Sequence, residues 1–209
     1  MSDLTDAKRR LVERLKRVDA ATAGELATEF GLTDTAVRQH LESLQDLGLV
    51  HRTEGSANGR GRPAAKWQLS PASLSMFPDR HGDLTVEILA SIRAELGDEA
   101  LDRVIESRSR RQTEQYRAVV GAGSVAVRVR RLAEQRTAEG YLADVESDGA
   151  DLVLIEHHCP ICAAAATCQG LCRAELEVFQ AVLGDDVLVR REQHLLSGHQ
   201  RCTYRISAA

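Results

Sequence analysis

Apolar side chains recur at helical spacing from the start of the chain. Ala7, Leu11, Val12, Leu15 and Val18 mark one face of a helix over residues 5–18, with charged residues opposite. Thr22 followed three residues later by Glu25 is a capping-box pattern. A second helix, "AGELATEF", therefore opens there and stops at Gly31, which enters the left-handed region at least cost. Thr33 caps a third helix, "DTAVRQHLESLQDLG", closed by Gly48. Its inward stripe is Val37, Leu41, Leu44 and Leu47, and Thr35, Arg38, Gln39 and Glu42 are left facing outward. "LVHRTEG" and "AKWQLS" then alternate like strands around "SANGRGRP", a hairpin with a glycine- and arginine-rich tip.

Two short helices joined by a glycine turn and followed by a hairpin predict a winged helix-turn-helix unit over residues 1–70. In such a unit the third helix fits the major groove, where Thr33, Thr35, Arg38 and Gln39 can meet base edges. Arg60 and Arg62 on the tip, with Lys66 on the returning strand, can reach phosphates or a narrow minor groove. One exposed helical arginine means little. The ordered combination of turn, stop signals and arginine tip is what points to an operator in double-stranded DNA.

"SPASLSMFPDRHG", with two prolines, three serines and a glycine, reads as a linker over residues 71–82. Helical patterns follow at roughly 83–96, 98–120 and 124–139, and the polar stretch "SRSRRQTEQYR" in the second suits solvent or a dimer contact. After Gly140, "YLADVES" and "DLVLIEHH" alternate as a hairpin around "DGA". "CRAELEVFQAVLG" is amphipathic, with Leu176, Phe179 and Leu183 as its apolar row. "DVLVRREQHLL" and "RCTYRIS" read as two more strands around "SGHQ". The fold class is thus α+β: a winged helix, then helices, then an antiparallel-sheet domain over residues 83–209 that carries a cysteine cluster.

Composition adds few restrictions. Hydrophobic residues at 43% and charged residues at 28% describe an ordinary folded chain. No apolar run approaches the roughly 18 residues that cross a bilayer, and the polar, periodic start "MSDLTDAKRRLVERLKRVD" is not a signal peptide. No membrane association is expected, and the expected compartment is the cytoplasm, where reducing conditions disfavour structural disulfides. The net charge of −4 is unevenly placed, slightly positive in the winged-helix part and acidic beyond it, which suits an anionic partner for the first part. No glycine-rich phosphate loop, Ser–His–Asp order or paired-carboxylate signature stands out. The chain is read as a non-enzyme, since a thiol oxidoreductase would rest on Cys159 and Cys162 alone.

The strongest chemical signal is "HHCPICAAAATCQGLC". Cys159, Cys162, Cys168 and Cys172 fall within fourteen positions, and the fifth cysteine, Cys202, sits near the end of the chain. Such density in a cytosolic chain points to metal or redox chemistry. Thiolates select zinc, or iron in iron–sulfur clusters. Cys168 and Cys172 share one helix face if their segment is helical, and His157, His158, His194 and His199 stand near enough in sequence to supply a nitrogen ligand. Buried free cysteines are also common core residues, so one or two of the five can be packing.

"TAVRQHLESLQDLGLV", "GRGRPAAKWQLS", "HCPICAAAATCQGLCRAELEVF" and "RREQHLLSGHQRCTYRI" together resemble the SufR-type family, over residues 6–207. These are winged-helix repressors that sense iron–sulfur status, related in their DNA-binding part to ArsR and DeoR-like regulators. The resemblance implies a homodimer whose DNA affinity is set by a 2Fe-2S or 4Fe-4S cluster held by cysteines. The positions that match are Cys159, Cys172 and Cys202. Cys162 and Cys168 are additional, and no cysteine stands between Cys172 and Cys202. The fourth ligand is therefore open between Cys162, Cys168, a histidine and an exogenous group, and a purely structural zinc site remains the alternative.

Overall fold

The computed structural model describes residues 4–53 and 65–209; the expected wing-tip residues Arg60 and Arg62 lie outside them. The chain divides into two compact units, Met1–Asp79 and Arg80–Ala209.

The first unit is a winged helix-turn-helix. Helices α1 (Asp6–Val18), α2 (Ala23–Phe30) and α3 (Asp34–Asp46) pack Leu11, Leu15, Leu26, Val37, Leu41 and Leu44 around Trp67. The capping box at α2 is complete: Glu25 N–H donates to the Thr22 hydroxyl, and Thr22 N–H donates to the Glu25 carboxylate at 2.7 Å. That second bond is the main cause holding the Glu25 carboxyl below its usual range. Gly31 ends α2 at φ 65°, the left-handed conformation its position requires. In α3, Val37, Leu41 and Leu44 are buried, but Leu47, expected to join them, is 47% exposed. Each three-residue step falls about 60° short of a full turn, so Leu47 has drifted off the stripe that the other three share.

Strands β2 (Val50–Thr53) and β3 (Lys66–Leu69) pair antiparallel as the wing. A further strand, β1 (Ala20–Thr22), pairs with the other edge of β3, placing Ala21 opposite Trp67. Three residues show no alternation, which is why the sequence pattern missed it. The expected linker is also partly structured. Pro71–Met76 form a 3-10 helix with Ser73 buried, and Met76 and Phe77 pack on the first core.

The second unit contains α4 (His81–Leu96), α5 (Asp98–Val120), α6 (Val125–Ala138), β4 (Ala143–Asp148), β5 (Asp151–Glu156), α7 (Cys162–Thr167), α8 (Gly170–Leu183), β6 (Val187–Gln193) and β7 (Cys202–Ala208). The strands form one antiparallel sheet in the order β4-β5-β7-β6. Its main core joins Tyr116, Val120, Leu132, Phe179 and Leu183 of α5, α6 and α8 to Leu154, Val189, Tyr204 and Ile206 of the sheet. A smaller cluster gathers Leu101 and Ile105 of α5, Ala164 of α7, Cys168, and Leu171 and Ala174 of α8. There the start of α8 approaches α5 closely: a Cβ on Gly170 would lie 3.1 Å from Ile105 Cδ1. Glycine permits that approach. The α+β architecture matches the expectation. No helix among the described residues is long and apolar enough to cross a membrane.

Candidate functional site

On α3 the outward residues named from the sequence are exposed, but they have local partners. The Thr33 hydroxyl accepts the Ala36 N–H at 3.2 Å, so its first task is to cap the helix. Arg38 Nε donates to Asp34 at 2.6 Å, one turn earlier, and this bond raises the Arg38 pKa. Glu42 accepts from Arg52 of β2 at 2.9 Å. Thr35 and Gln39 complete the exposed face. Lys66 sits half-buried at the start of β3, opposite Thr22 and Thr53.

The cysteines of the second unit are all free thiols, and they do not form one group. Cys159 follows β5, Cys162 opens α7, Cys172 lies in the first turn of α8, and Cys202 opens β7 directly opposite Glu156 of β5. Cys159, Cys162 and Cys172 act on one another electrostatically, and Cys172 acts on Cys202. Glu175 of α8 lies within electrostatic range of Cys159, Cys172 and Cys202. Burial, reinforced by Glu175, pushes the Cys159 thiol up to about 12 and the Cys172 thiol up to about 11. Burial also raises Cys202, whose sulfur accepts the Leu195 N–H at 3.4 Å.

Cys168 stands apart from these. It is buried in the small cluster with Leu101, Ile105 and Leu171. The shared helix face with Cys172 is absent, because α7 ends at Thr167, Cys168 is extended (φ −138°, ψ 91°), and α8 begins at Gly170. Of the histidines, the exposed His157 pairs with Asp144 at 3.2 Å. His194, next to Leu195, is held below its ordinary pKa by burial and by Arg191.

Beneath the thiols lies an ionic network that the sequence reading did not single out. Arg136 of α6 is fully buried. Its Nε donates to Glu156 at 2.6 Å, its Nη2 to Glu175, and its Nη1 to the Tyr116 hydroxyl at 3.1 Å. The guanidinium lies over the Tyr141 ring, 3.3 Å from its centre. Tyr204 of β7 donates to Glu175 at 3.0 Å, and Gln112 of α5 donates to Tyr116 at 2.9 Å. Burial drags the Arg136 pKa down, but Glu175 and Glu156 outweigh it and the net shift is upward. Burial raises Glu156 against the pull of Arg136. A signal for these residues was present in the sequence. Arg136 continues the row Val129–Leu132, Glu175 falls between Cys172 and Phe179, and Arg191 continues the inward alternation Val187–Val189.

The donor set has the chemistry of a soft-metal or cluster site, with several thiols within electrostatic range of a half-buried cation, Arg191. It is not drawn together. Among the described residues no three His, Cys, Asp or Glu side chains stand close enough to hold a metal ion. A ligand would also have to displace protons from thiols that burial keeps neutral.

Residues 2–61 match the family model described as MarR family, which spans α1 to α3 and less than a third of the chain. Among solved structures the chain is similar to a zinc-responsive MarR family member, Lactococcus lactis ZitR. That likeness has 19% identity and a TM-score of 0.32, and covers 55% of this chain and 77% of the other. A ZitR cysteine-to-serine mutant in complex with DNA is similar at 19% identity and TM-score 0.31, over 56% and 77% of the two chains. The phenol-responsive sensory domain of the transcription activator PoxR, with phenol, is similar at 16% identity and TM-score 0.38, over 82% and 89%. No curated protein matches the chain.

Proposed function

We propose that this chain is a homodimeric transcriptional regulator, not an enzyme. It reads an operator in duplex DNA with α3 and the wing, and its DNA affinity is set by a thiolate-held iron–sulfur cluster in the second unit. The observation that carries this reading is the division of labour on α3. Val37, Leu41 and Leu44 supply the core, which leaves Thr35, Arg38 and Gln39 exposed for base edges. The match of residues 2–61 to a MarR family model supports it.

In this reading Cys159, Cys172 and Cys202 hold the group and Cys162 stands nearest to a fourth place, while Cys168 is packing. A bound cluster would supply a crosslink between the loop after β5, the start of α8 and the start of β7, together with sensitivity to oxidants. The residues that carry the change are those of the buried network. Glu156 lies three residues before Cys159, Glu175 three after Cys172, and Tyr204 two after Cys202. All three connect through Arg136, which also holds Tyr116 of α5. Drawing the thiols together would thus be felt in α5 and α6 and shift the population of the DNA-competent form.

The second reading is a structural zinc site. Favouring it is His194, kept neutral beside the residue that bonds Cys202, since zinc accepts mixed nitrogen and sulfur ligands. Protein purified without oxygen should show visible absorption with iron and sulfide in equal amount. Cys159→Ser and Cys172→Ser should lose it, and Cys168→Ala should retain it. A colourless protein with one zinc per chain, and DNA affinity indifferent to oxidants, would select the zinc reading instead.

A further inference from the structure

The stretch "CPIC", residues 159–162, carries a second chemistry that needs no metal. The Cys162 N–H donates to the Cys159 carbonyl at 3.2 Å, which closes a four-residue turn. Pro160 takes its second position, and Ile161 takes the third at φ −104° and ψ 17°, close to the values of a type I turn. Such a turn brings its first and last Cα atoms within about 7 Å, and a disulfide spans about 4.4–6.8 Å. The surrounding chain holds the turn in place. The His158 N–H donates to the Tyr141 carbonyl at 3.1 Å, and the Ala165 N–H donates to the Ile161 carbonyl at 2.9 Å. Pro160 packs over Gly140, 3.8 Å from where a Cβ would stand. Access divides the five thiols in the same way. Cys159 and Cys162 are half-buried, whereas Cys168, Cys172 and Cys202 are buried. The two sulfurs most open to solvent are thus the two ends of one turn.

We propose that Cys159 and Cys162 form a dithiol–disulfide couple, oxidised by low-molecular-weight disulfides of the oxidised-glutathione class. One cysteine, as its thiolate, attacks a sulfur of the small disulfide and releases its other half as a thiolate. The second cysteine then attacks the mixed disulfide, and the Cys159–Cys162 bond forms as the remaining small thiolate leaves. The two cysteine protons end on the two released thiolates. The chain thereby gives up two electrons and two protons, and the small disulfide becomes two thiols. Either order of attack gives the same product, a bond between the loop after β5 and the first residue of α7. The inference stands apart from the cluster and zinc readings, because the reaction uses metal-free thiols.

The test equilibrates full-length, chelator-treated protein with mixtures of reduced and oxidised glutathione, both folded and in urea. Acid quenching, alkylation and peptide mass mapping then count and locate the free thiols. The folded chain should lose two thiols together, linked as Cys159–Cys162, with Cys168, Cys172 and Cys202 still alkylated. The folded equilibrium should favour this bond about 10-fold more than urea does, because the turn has already fixed backbone that an unfolded chain must fix on closing. Cys162→Ser should stop at a glutathione adduct on Cys159, and Cys159→Ser at one on Cys162. Five free thiols at every ratio, a bond mapped to another pair, or a glutathione adduct that persists in the wild type would overturn the proposal. So would a folded equilibrium no more favourable than that in urea. The wild-type measurements decide the matter even where a variant fails to fold.

Discussion

Arg38 shows how an exposed residue can be committed and available at once. In the free protein its guanidinium is held by Asp34 across one helical turn, with both side chains about half exposed. Pairs of this kind are weak and easily screened, so a guanine edge, which accepts two donors in the plane of the guanidinium, can displace the carboxylate. Arg38→Ala should weaken binding to the operator by about 10-fold while leaving random-sequence DNA nearly unaffected. Arg60→Ala and Arg62→Ala should weaken both and flatten the salt dependence. Fluorescence anisotropy at several salt concentrations separates the two behaviours. Equal losses on operator and random DNA for Arg38→Ala would assign that residue to phosphate contact.

Arg136 decides matters at the scale of elements. It binds side chains from α5, β5 and α8, and through Glu175 it reaches β7. Removing one partner from a buried pair strands the other charge, at about 3–5 kcal/mol. Glu175→Gln should therefore lower the stability of the second unit by about that much in urea, with the first unit, which has its own core, unchanged. A loss under about 1 kcal/mol would mean that water relieves Arg136.

The same residues explain what was legible in the sequence. Helices α1 to α3, the capping box and the antiparallel strands follow from period and cap chemistry, which are local. The network depends on which polar residue falls on an inward row, and an apolar-period search passes over Arg136 and Glu175 as exceptions. Strand β1 and helix α7, at three and six residues, are shorter than the period needed to recognise them. The thiol cluster was legible as chemistry, but its division was not. The break between α7 and α8 sends Cys168 into the core, while Cys172 falls inside α8, three residues before Glu175 on the same helix.

For the whole molecule, the unsettled element is α4. It is sixteen residues long and rich in aliphatic side chains, yet none is buried within the unit. Leu84, Ile88 and Leu96 are 51%, 49% and 68% exposed, and Val104 of α5 adds another at 47%. Solvent-facing apolar rows of this kind mark interfaces. The proposed function supplies the occupant, because reading two half-sites takes two copies of α3, and a two-fold pairing of α4 with itself uses one patch twice. Leu84→Glu with Ile88→Glu should turn a sedimenting dimer into a folded monomer, since neither side chain contributes to a core. Operator affinity should fall well over 10-fold, because two tethered units bind with an effective concentration that a lone unit lacks. A variant that still sediments as a dimer would place the contact on another face. A wild-type monomer that binds its operator tightly would mean that one winged helix suffices.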